Sequence, residues 1–250
     1  MIHSFLLIGQ SNMAGRGALD EAIEVDAANI RVMRNGRWQG MFRPVNPDRP
    51  FSGVNLAERF SELYAATYGV KAGIIPCADG GSSLWQWEKG GILFENAVNH
   101  VKLAKRTSAV AGVLWHQGEG DCAPEDYAVY EEKFRKFMAD FREAADLWNV
   151  PFLLGGLGDF LPDRPGTLTL MNYGKVNEAL RNVAETSPMT AYVPAEGLGA
   201  NPDNLHFSAA SLYTFGERYF AAWRKFEKDM AWLGEVTRDE DDVRTWMELL

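Results

Sequence analysis

Ser11 is the residue of this sequence whose position points most directly to chemistry. The apolar run Phe5–Ile8 predicts a buried strand, and Gly9 ends that run shortly before the serine. A hydroxyl at the carboxyl end of a strand lies where open α/β sheets bind their ligands. A serine nucleophile also needs a base, an acid that orients the base, and donors for the developing oxyanion. These groups are expected in the loops that follow the other strands.

His206 is the histidine best placed to act as the base. Of the four histidines, His3 begins a strand and His100 lies in a helical pattern, which favours structural roles for both. His206 lies in a loop before a helix, with Asp203 three residues earlier. In an Asp-x-x-His turn the carboxylate can hold the imidazole Nδ1–H, which fixes the tautomer and stabilises the imidazolium. The same spacing also suits a capping aspartate beside a surface histidine, so both interpretations stay open.

Two further loops contain candidate oxyanion donors. Gly80 follows the run Lys71–Pro76, and a glycine in a tight turn lets its backbone N–H approach a ligand closely. Gln117 follows the run Val110–Trp115 and offers a side-chain amide. Alternatively, Gly80 is an ordinary turn glycine and Gln117 an ordinary polar loop residue. If both are donors, the sequence holds every part that a serine hydrolase requires.

Short apolar runs alternate with longer amphipathic stretches along the chain. The runs are apolar throughout, as expected for strands that are covered by helices on both faces. Such alternation favours parallel pairing through right-handed crossovers. We therefore predict an α/β protein, a three-layer α/β/α fold with a central parallel sheet of about five strands. The predicted strands are Phe5–Ile8, Lys71–Pro76, Val110–Trp115, Phe152–Leu157 and Thr190–Val193.

Amphipathic stretches predict the helices that would cover this sheet, and the segment Asn35–Pro50 is interpreted as an irregular loop. The predicted helices have apolar faces over Leu56–Tyr64 and Tyr127–Trp148, a third stretch from Asn172 to about Glu185, and a last one that begins after Ser208.

Composition excludes several classes of function. The formal net charge of −9 argues against nucleic acid or an anionic membrane as the main partner. Two cysteines are too few for a disulfide scaffold. No zinc-ligand spacing is present, so we predict no metal and no other cofactor. The sequence shows neither the pattern of a signal peptide nor an apolar run of transmembrane length, so we predict a cytoplasmic location.

The length of 250 residues fits one α/β domain, which we place at residues 1–228. Residues 229–250 turn acidic and end in Trp246-Met247-Glu248-Leu249-Leu250. We predict that this extension is helical and favour a partly solvated terminal helix, with packing on the same domain or on a second copy of the chain as the alternative. A homo-oligomer is therefore left open.

Four blocks together resemble the SGNH hydrolase superfamily. Their order and spacing are similar to those of its sialate O-acetylesterase-like and acetylxylan-esterase-like branch, carbohydrate esterase family 6. The resemblance covers most of the chain. It implies a flavodoxin-like three-layer fold and a metal-independent serine esterase that removes acetyl groups from carbohydrates through an acetyl-serine intermediate. The blocks are Gly9–Met13, Pro76–Leu84, Trp115–Glu119 and the pair Asp203 and His206.

The resemblance implies a role for each block. Ser11 matches the nucleophile, His206 the general base, and Asp203 the acid that orients the base. The backbone N–H groups of Ser11 and Gly80 match two oxyanion donors. Gln117 stands where the superfamily commonly has asparagine as the third donor, as it does in the carbohydrate-esterase branch.

Glu119 belongs to the same branch motif and is a second candidate partner of the catalytic histidine, although we favour Asp203. Three tryptophans, at positions 38, 85 and 87, lie on or near the crevice loops, where they could stack on a sugar ring or pack in the core. The predicted substrate contacts are Gln10, Asn12, Gly81, His116 and Trp85.

Other interpretations stay open. A carbohydrate-binding protein without turnover would use the same crevice but would gain nothing from an activated serine. An esterase or thioesterase for a non-sugar acyl ester would have a more aliphatic lining. A metallohydrolase would leave Ser11 without a role. The ligands of such a metal site would be His116, Glu119, Asp121, Asp203 and His206.

The expected substrate is an acetylated xylo-oligosaccharide or a sialic-acid-like acetyl ester. Because the sequence shows no leader or binding module, we expect short acetylated oligosaccharides rather than polymeric xylan.

Overall fold

A seven-stranded sheet forms the centre of the computed structural model, which describes residues 1–235. Its strands are β1 (Ile2–Gly9), β2 (Ile30–Arg34), β3 (Arg37–Gly40), β4 (Lys71–Pro76), β5 (Ala109–His116), β6 (Phe152–Gly155) and β7 (Thr190–Val193). They lie in the order β3-β2-β4-β1-β5-β6-β7. All neighbouring strands are parallel except β2 and β3, which are antiparallel.

The five strands predicted from the sequence are β1, β4, β5, β6 and β7. Renumbered among themselves, they stand in the order 2-1-3-4-5, which is the flavodoxin-like arrangement. The predicted α/β fold class is therefore confirmed. The chain leaves β1 toward β4 on one side and later returns to β5 on the other side. This switch point opens a crevice at the carboxyl edge of the sheet, next to the end of β1.

The sheet has two more strands than predicted, and one of them is antiparallel. β2 and β3 form a hairpin whose turn residues, Asn35 and Gly36, have φ of 50° and 74°. Asn-Gly is a strong hairpin signal, but the short flanking runs contain several arginines. Charged side chains are typical of an edge such as β3 and hide its apolar pattern. The prediction of an irregular loop over Asn35–Pro50 is therefore wrong up to Gly40.

Helices cover both faces of the sheet. They are α1 (Ser11–Ala14), α2 (Leu56–Tyr68), α3 (Ile92–Ala104), α4 (Pro124–Ala145), α5 (Tyr173–Thr186) and α6 (Ala209–Trp223). α2 packs against α6, and α4 packs against both α3 and α5. In β1, Phe5 and Leu7 belong to the core under α2 and α6, whereas Leu6 and Ile8 belong to the core under the other helices. This two-sided burial explains why the first strand is apolar throughout.

The four predicted helices are present as α2, α4, α5 and α6, although α4 ends at Ala145, before Trp148. Within the described residues no helix is long and apolar enough to cross a membrane. Of the predicted C-terminal extension, Met230 and Leu233 are buried in the core under α2 and α6. Residues 236–250 lie outside the described part of the chain, so the prediction of a terminal helix stays a prediction.

Asn55 joins the start of α2 to the segment after Ser11. Its side chain accepts a hydrogen bond from the Ala57 N–H, and with Glu58 it forms a capping box. Its amide also donates to the carbonyls of Met13 (2.7 Å) and Ala14 (2.8 Å) at the end of α1. One fully buried side chain therefore caps α2 and holds the short helix that begins with Ser11.

Replacing Asn55 with Ala is expected to lower the free energy of unfolding by about 2–3 kcal/mol, because a cap is lost and two buried carbonyls lose a donor. Urea denaturation followed by circular dichroism measures this change. The control is Asn149→Ala at an exposed position, where the change should stay within about 0.5 kcal/mol. Equal stability of the two variants would contradict the role of Asn55.

Candidate active site

Ser11 lies at the end of the central part of the sheet, between the ends of β4 and β5. The Gln10 N–H donates to the carbonyl of His116 (2.8 Å), and the Asp79 N–H donates to the carbonyl of Gly9 (3.0 Å). A Cβ atom on Gly9 would lie 2.1 Å from the carbonyl oxygen of His116, and its φ of 125° also favours glycine. The glycine therefore allows the close approach that brings the three loops together around Ser11.

Three of the predicted residues form a continuous chain of hydrogen bonds. Nε2 of His206 lies 3.0 Å from Oγ of Ser11, and Nδ1 of His206 lies 2.6 Å from Oδ2 of Asp203. Oδ1 of Asp203 accepts from the backbone N–H groups of Leu205 and His206, both at 3.0 Å. This is the arrangement in which a histidine can take the proton of a serine hydroxyl.

The charge of Asp203 suits this arrangement. Partial burial opposes ionisation, but the hydrogen bonds from the His206 and Leu205 N–H groups and from the imidazole lower the pKa of Asp203 below its usual value. The carboxylate is therefore ionised at neutral pH and accepts the Nδ1 proton of His206. With its proton on Nδ1, a neutral imidazole presents Nε2 to Ser11 as a hydrogen-bond acceptor.

Glu119 does not contact His206. Its Oε1 accepts a hydrogen bond from Nδ2 of Asn12 (2.6 Å) and lies 3.7 Å from Nδ1 of His116. Of the two acids that the sequence offered as partners of His206, the structure brings only Asp203 into contact with it.

The predicted oxyanion donors differ in their availability. In the described residues the Ser11 N–H at the start of α1 has no acceptor. Gly80 lies beside Ser11, since a Cβ on Gly80 would be 3.5 Å from Cβ of Ser11. Its N–H, however, donates to Oδ2 of Asp48 (2.8 Å). The carboxylate of Asp48 therefore holds a donor that the sequence assigned to the oxyanion.

The side-chain amide of Gln117 already has partners within the protein. Its side chain is fully buried, and its amide donates to the carbonyl of Ser82 (3.3 Å) and to Asp121. Its Oε1 accepts from the Tyr130 hydroxyl (3.0 Å). The amide therefore joins the loops after β4 and β5. Residue type alone does not predict these partners, because the rotamer of Gln117 depends on packing against distant residues.

Several predicted substrate contacts are also internal. Gln10, Asn12 and His116 are buried, and each makes hydrogen bonds within the protein. Oε1 of Gln10 accepts from the Gly118 N–H (3.2 Å), and Nε2 of His116 donates to the Gly156 carbonyl (3.0 Å). Burial lowers the pKa of His116, although the nearby glutamate opposes this, so the imidazole is neutral. All three side chains are therefore buried and bonded within the protein.

Among the tryptophans near the crevice loops, only Trp85 is exposed, at 64%. Trp38 and Trp87 are buried and donate to Thr107 and Ser82. Gly81 is also exposed and has a φ of 81°. Trp85 and Gly81 therefore remain available to a substrate.

A buried ion pair beside Gly80 was not predicted from the sequence. Nη2 of Arg16 lies 2.7 Å from Oδ2 of Asp48, and both side chains are at most 5% exposed. The Ser52 hydroxyl also donates to Asp48 (2.8 Å). Phe51, 68% exposed, packs under the Arg16 guanidinium. The signal in the sequence was the concentration of Arg, Asp and Pro in this segment.

Replacing Asp48 with Asn is expected to lower the free energy of unfolding by about 3 kcal/mol at pH 7, because Arg16 stays buried without a counter-charge. Burial disfavours ionisation of Asp48, but hydrogen bonds from Arg16, Ser52 and Gly80 lower its pKa below the usual value. The stabilisation is therefore present above the usual carboxyl pKa and is lost as the pH falls. The difference between wild type and Asp48→Asn should therefore shrink below about pH 4.

Urea denaturation at several pH values measures this difference. The control is Glu143→Gln, which breaks an exposed pair with Lys89 and should cost less than about 1 kcal/mol. A difference for Asp48→Asn that does not depend on pH would contradict the assignment.

The five candidate metal ligands do not form one cluster. Asp121 accepts from the backbone N–H of Leu84 (3.0 Å), Asp203 is bonded to His206, and His116 is bonded to Gly156. Within residues 1–235 no group of three or more His, Cys, Asp or Glu side chains is arranged to hold a metal ion. The geometry thus gives the metallohydrolase interpretation no support.

The fold and its neighbours define the class of protein. The chain has the fold of the SGNH and lipase-acylhydrolase enzymes. A family model described as carbohydrate esterase, sialic acid-specific acetylesterase, matches residues 1–225. The chain belongs to this family and is a carboxylic ester hydrolase, which confirms the resemblance seen in the sequence.

Individual relatives agree with this assignment. A probable carbohydrate esterase of Arabidopsis thaliana is 25% identical over 85% of this chain and 86% of its own length. Its crystal structure superposes with a TM-score of 0.78 at 24% identity, covering 89% of this chain and 98% of that one.

Two further solved structures show the same fold. NanS has a TM-score of 0.69 at 18% identity over 91% of this chain and 98% of its own. A carbohydrate acetylesterase of Xanthomonas citri has a TM-score of 0.63 at 20% identity, covering 89% of this chain and 56% of that one.

Proposed function

We propose that this esterase removes O-acetyl groups from carbohydrates through an acetyl-serine intermediate on Ser11. The observation that carries the proposal is the chain of hydrogen bonds from Ser11 through His206 to Asp203. Membership of a carbohydrate esterase family supports an acetylated sugar as the substrate. The substrates we infer are acetylated xylo-oligosaccharides or sialic-acid-like acetyl esters.

The first half of the reaction transfers the acetyl group to the enzyme. Oγ of Ser11 attacks the acetyl carbonyl carbon while Nε2 of His206 takes the hydroxyl proton, and Asp203 stabilises the resulting imidazolium. The tetrahedral intermediate then collapses. The bond between the acetyl carbon and the sugar oxygen breaks, and His206 returns its proton to that oxygen.

The second half releases acetate. Nε2 of His206 takes a proton from water, whose oxygen attacks the acetyl carbon on Ser11. The second tetrahedral intermediate collapses, the bond to Oγ of Ser11 breaks, and the serine recovers its proton from His206. The cycle consumes one water molecule and needs no redox partner.

For the oxyanion we infer two backbone donors. The N–H of Ser11 has no acceptor among the described residues and is at the amino end of α1. The N–H of Gly80 is beside Ser11 and now donates to Asp48, so it must share or exchange this acceptor when the oxyanion forms. Gln117 supports this loop through Ser82 rather than the oxyanion itself.

Exposed aromatic rings favour a sugar as the group that carries the acetyl ester. Trp85 is exposed and follows the glycines of the loop after β4. Phe51 is also exposed and packs on Arg16, whose guanidinium lies beside Gly80. Flat apolar ring faces beside hydrogen-bonding groups suit a sugar ring, which has both apolar and polar faces.

Acetate release tests the proposal. The wild type is assayed with acetylated xylo-oligosaccharides, O-acetyl sialic acid, p-nitrophenyl acetate and p-nitrophenyl octanoate, each beside Ser11→Ala. We expect acetate from at least one sugar and faster turnover of the acetyl than of the octanoyl ester. Faster octanoyl turnover would favour the non-sugar acyl esterase. Sugar binding with no hydrolysis by either protein would favour a binding protein.

A further inference from the structure

Asn12 connects the turn after β1 with the loop that carries His206. Its Nδ2 donates to the carbonyl of Leu205 (3.1 Å), and its Oδ1 accepts from the N–H of Phe207 (3.1 Å). The two bonds therefore hold the backbone immediately before and immediately after His206. Asn12 is 1% exposed and directly follows Ser11 in the chain.

Asp203 cannot do this task alone. It lies three residues from His206 on the same loop, so it orients the imidazole but moves with it. Contacts that fix the loop against Ser11 must come from the other side of the crevice. Besides Asn12, the turn after β1 holds this loop through Arg16, whose carbonyl accepts from Nδ2 of Asn201 (2.9 Å).

Glu119 determines how the Asn12 amide is oriented. Nδ2 of Asn12 has two acceptors, the Leu205 carbonyl and Oε1 of Glu119 (2.6 Å), while its Oδ1 has one donor. A rotated amide would place its oxygen against both acceptors. The Glu119 side chain is 3% exposed, and the residue begins the short turn Glu119–Asp121.

We propose that Asn12 is a positioning residue that fixes His206 against Ser11, and that Glu119 acts on the reaction by orienting the Asn12 amide. The inference rests on the serine esterase function proposed above. It assigns Asn12 a role other than substrate contact, and Glu119 a role other than partner of the histidine.

Kinetics of p-nitrophenyl acetate hydrolysis test the role of Asn12. Because a displacement of about 1 Å can cost about 10²-fold in rate, Asn12→Ala should lower kcat by about that factor with little change in KM. Asn177→Ala is the matched control, since this buried asparagine also makes two backbone hydrogen bonds, both to Leu157, but on a loop that holds no member of the triad. It should change kcat by less than about threefold.

A charge exchange tests the contact between positions 12 and 119. Asn12→Asp places a second carboxylate against Glu119 and should reduce kcat at least as much as Asn12→Ala. Adding Glu119→Gln supplies an amide that donates to the new carboxylate, so the double variant should recover at least about tenfold over Asn12→Asp. Glu119→Gln alone keeps an acceptor for Asn12 and should stay within about tenfold of wild type, with an unchanged pH profile.

Proton NMR separates positioning from loss of structure. The Nδ1–H of His206, bonded to Asp203 within one loop, should keep its downfield resonance in Asn12→Ala although kcat falls. Wild-type kcat in Asn12→Ala, no recovery in the double variant, or a loss of that resonance would overturn the inference. The proposed function is judged separately, because it fails only if wild-type hydrolysis does not depend on Ser11.

Discussion

Ser11→Ala is expected to lower kcat for p-nitrophenyl acetate by about 10⁶-fold, the scale seen when a serine nucleophile is removed from a hydrolytic triad. Without Oγ no acetyl-enzyme forms, and His206 has no hydroxyl to deprotonate. The fold should not change, because the position is in a short helix held by Asn55. Steady-state rates with the purified variant measure the effect.

Ser61→Ala is the matched control. Ser61 is a buried serine on α2 whose hydroxyl has no partner in the described residues, so its loss should leave kcat unchanged. A Ser11→Ala variant that keeps more than about one hundredth of the wild-type kcat would contradict nucleophilic catalysis by this residue.

Asp203→Asn is expected to lower kcat by about 10⁴-fold. An amide at this position can donate to Nδ1 of His206, which would move the imidazole proton to Nε2. That nitrogen could then no longer accept the proton of Ser11. The loss should exceed that of Glu119→Gln by at least about a hundredfold, because Glu119 does not touch the histidine.

The pair of variants is measured side by side with p-nitrophenyl acetate, and circular dichroism confirms that both are folded. If Glu119→Gln were as severe as Asp203→Asn, the glutamate would have an electrostatic role toward His206 that its position does not support. If Asp203→Asn kept nearly full activity, the orienting acid would have to be sought elsewhere.

The meeting of Ser11, Asp203 and His206 could be predicted because it follows from topology. Loops after parallel strands and before helices share one edge of the sheet, so residues 195 positions apart can be expected in one crevice. The rule needs only the alternation of strands and helices. It does not depend on the rotamer of any side chain.

The donors around the triad could not be predicted in this way. Gln117 and Gly80 have suitable residue types, but their N–H groups are taken by Asp121, Ser82 and Asp48. Which acceptor a buried amide finds depends on packing from several segments of the chain. Asp48 in particular comes from a segment without apolar periodicity, so no pattern placed it beside the nucleophile.

The edge of the sheet was missed for a related reason. β2 and β3 are short and rich in arginine, and their one clear signal was the Asn35-Gly36 turn. Arginines at positions 31, 34 and 37 interrupt the buried residues of both strands, so the strands lack the continuous apolar runs that identified β1 and β5. β2 and β3 extend the sheet beyond β4 at one edge, so the predicted arrangement 2-1-3-4-5 of the other five strands is unaffected.

The most direct test of the account is to find the acetyl group on the enzyme. Wild type is mixed with excess p-nitrophenyl acetate, quenched in acid within the first turnovers, digested and analysed by mass spectrometry. Nucleophilic catalysis by Ser11 predicts a single acetyl group on Ser11 and none in Ser11→Ala, together with a burst of p-nitrophenol. Two results would contradict nucleophilic catalysis by Ser11. One is a burst of p-nitrophenol from wild type with no acetyl group on Ser11. The other is acetylation of a different residue that persists in Ser11→Ala.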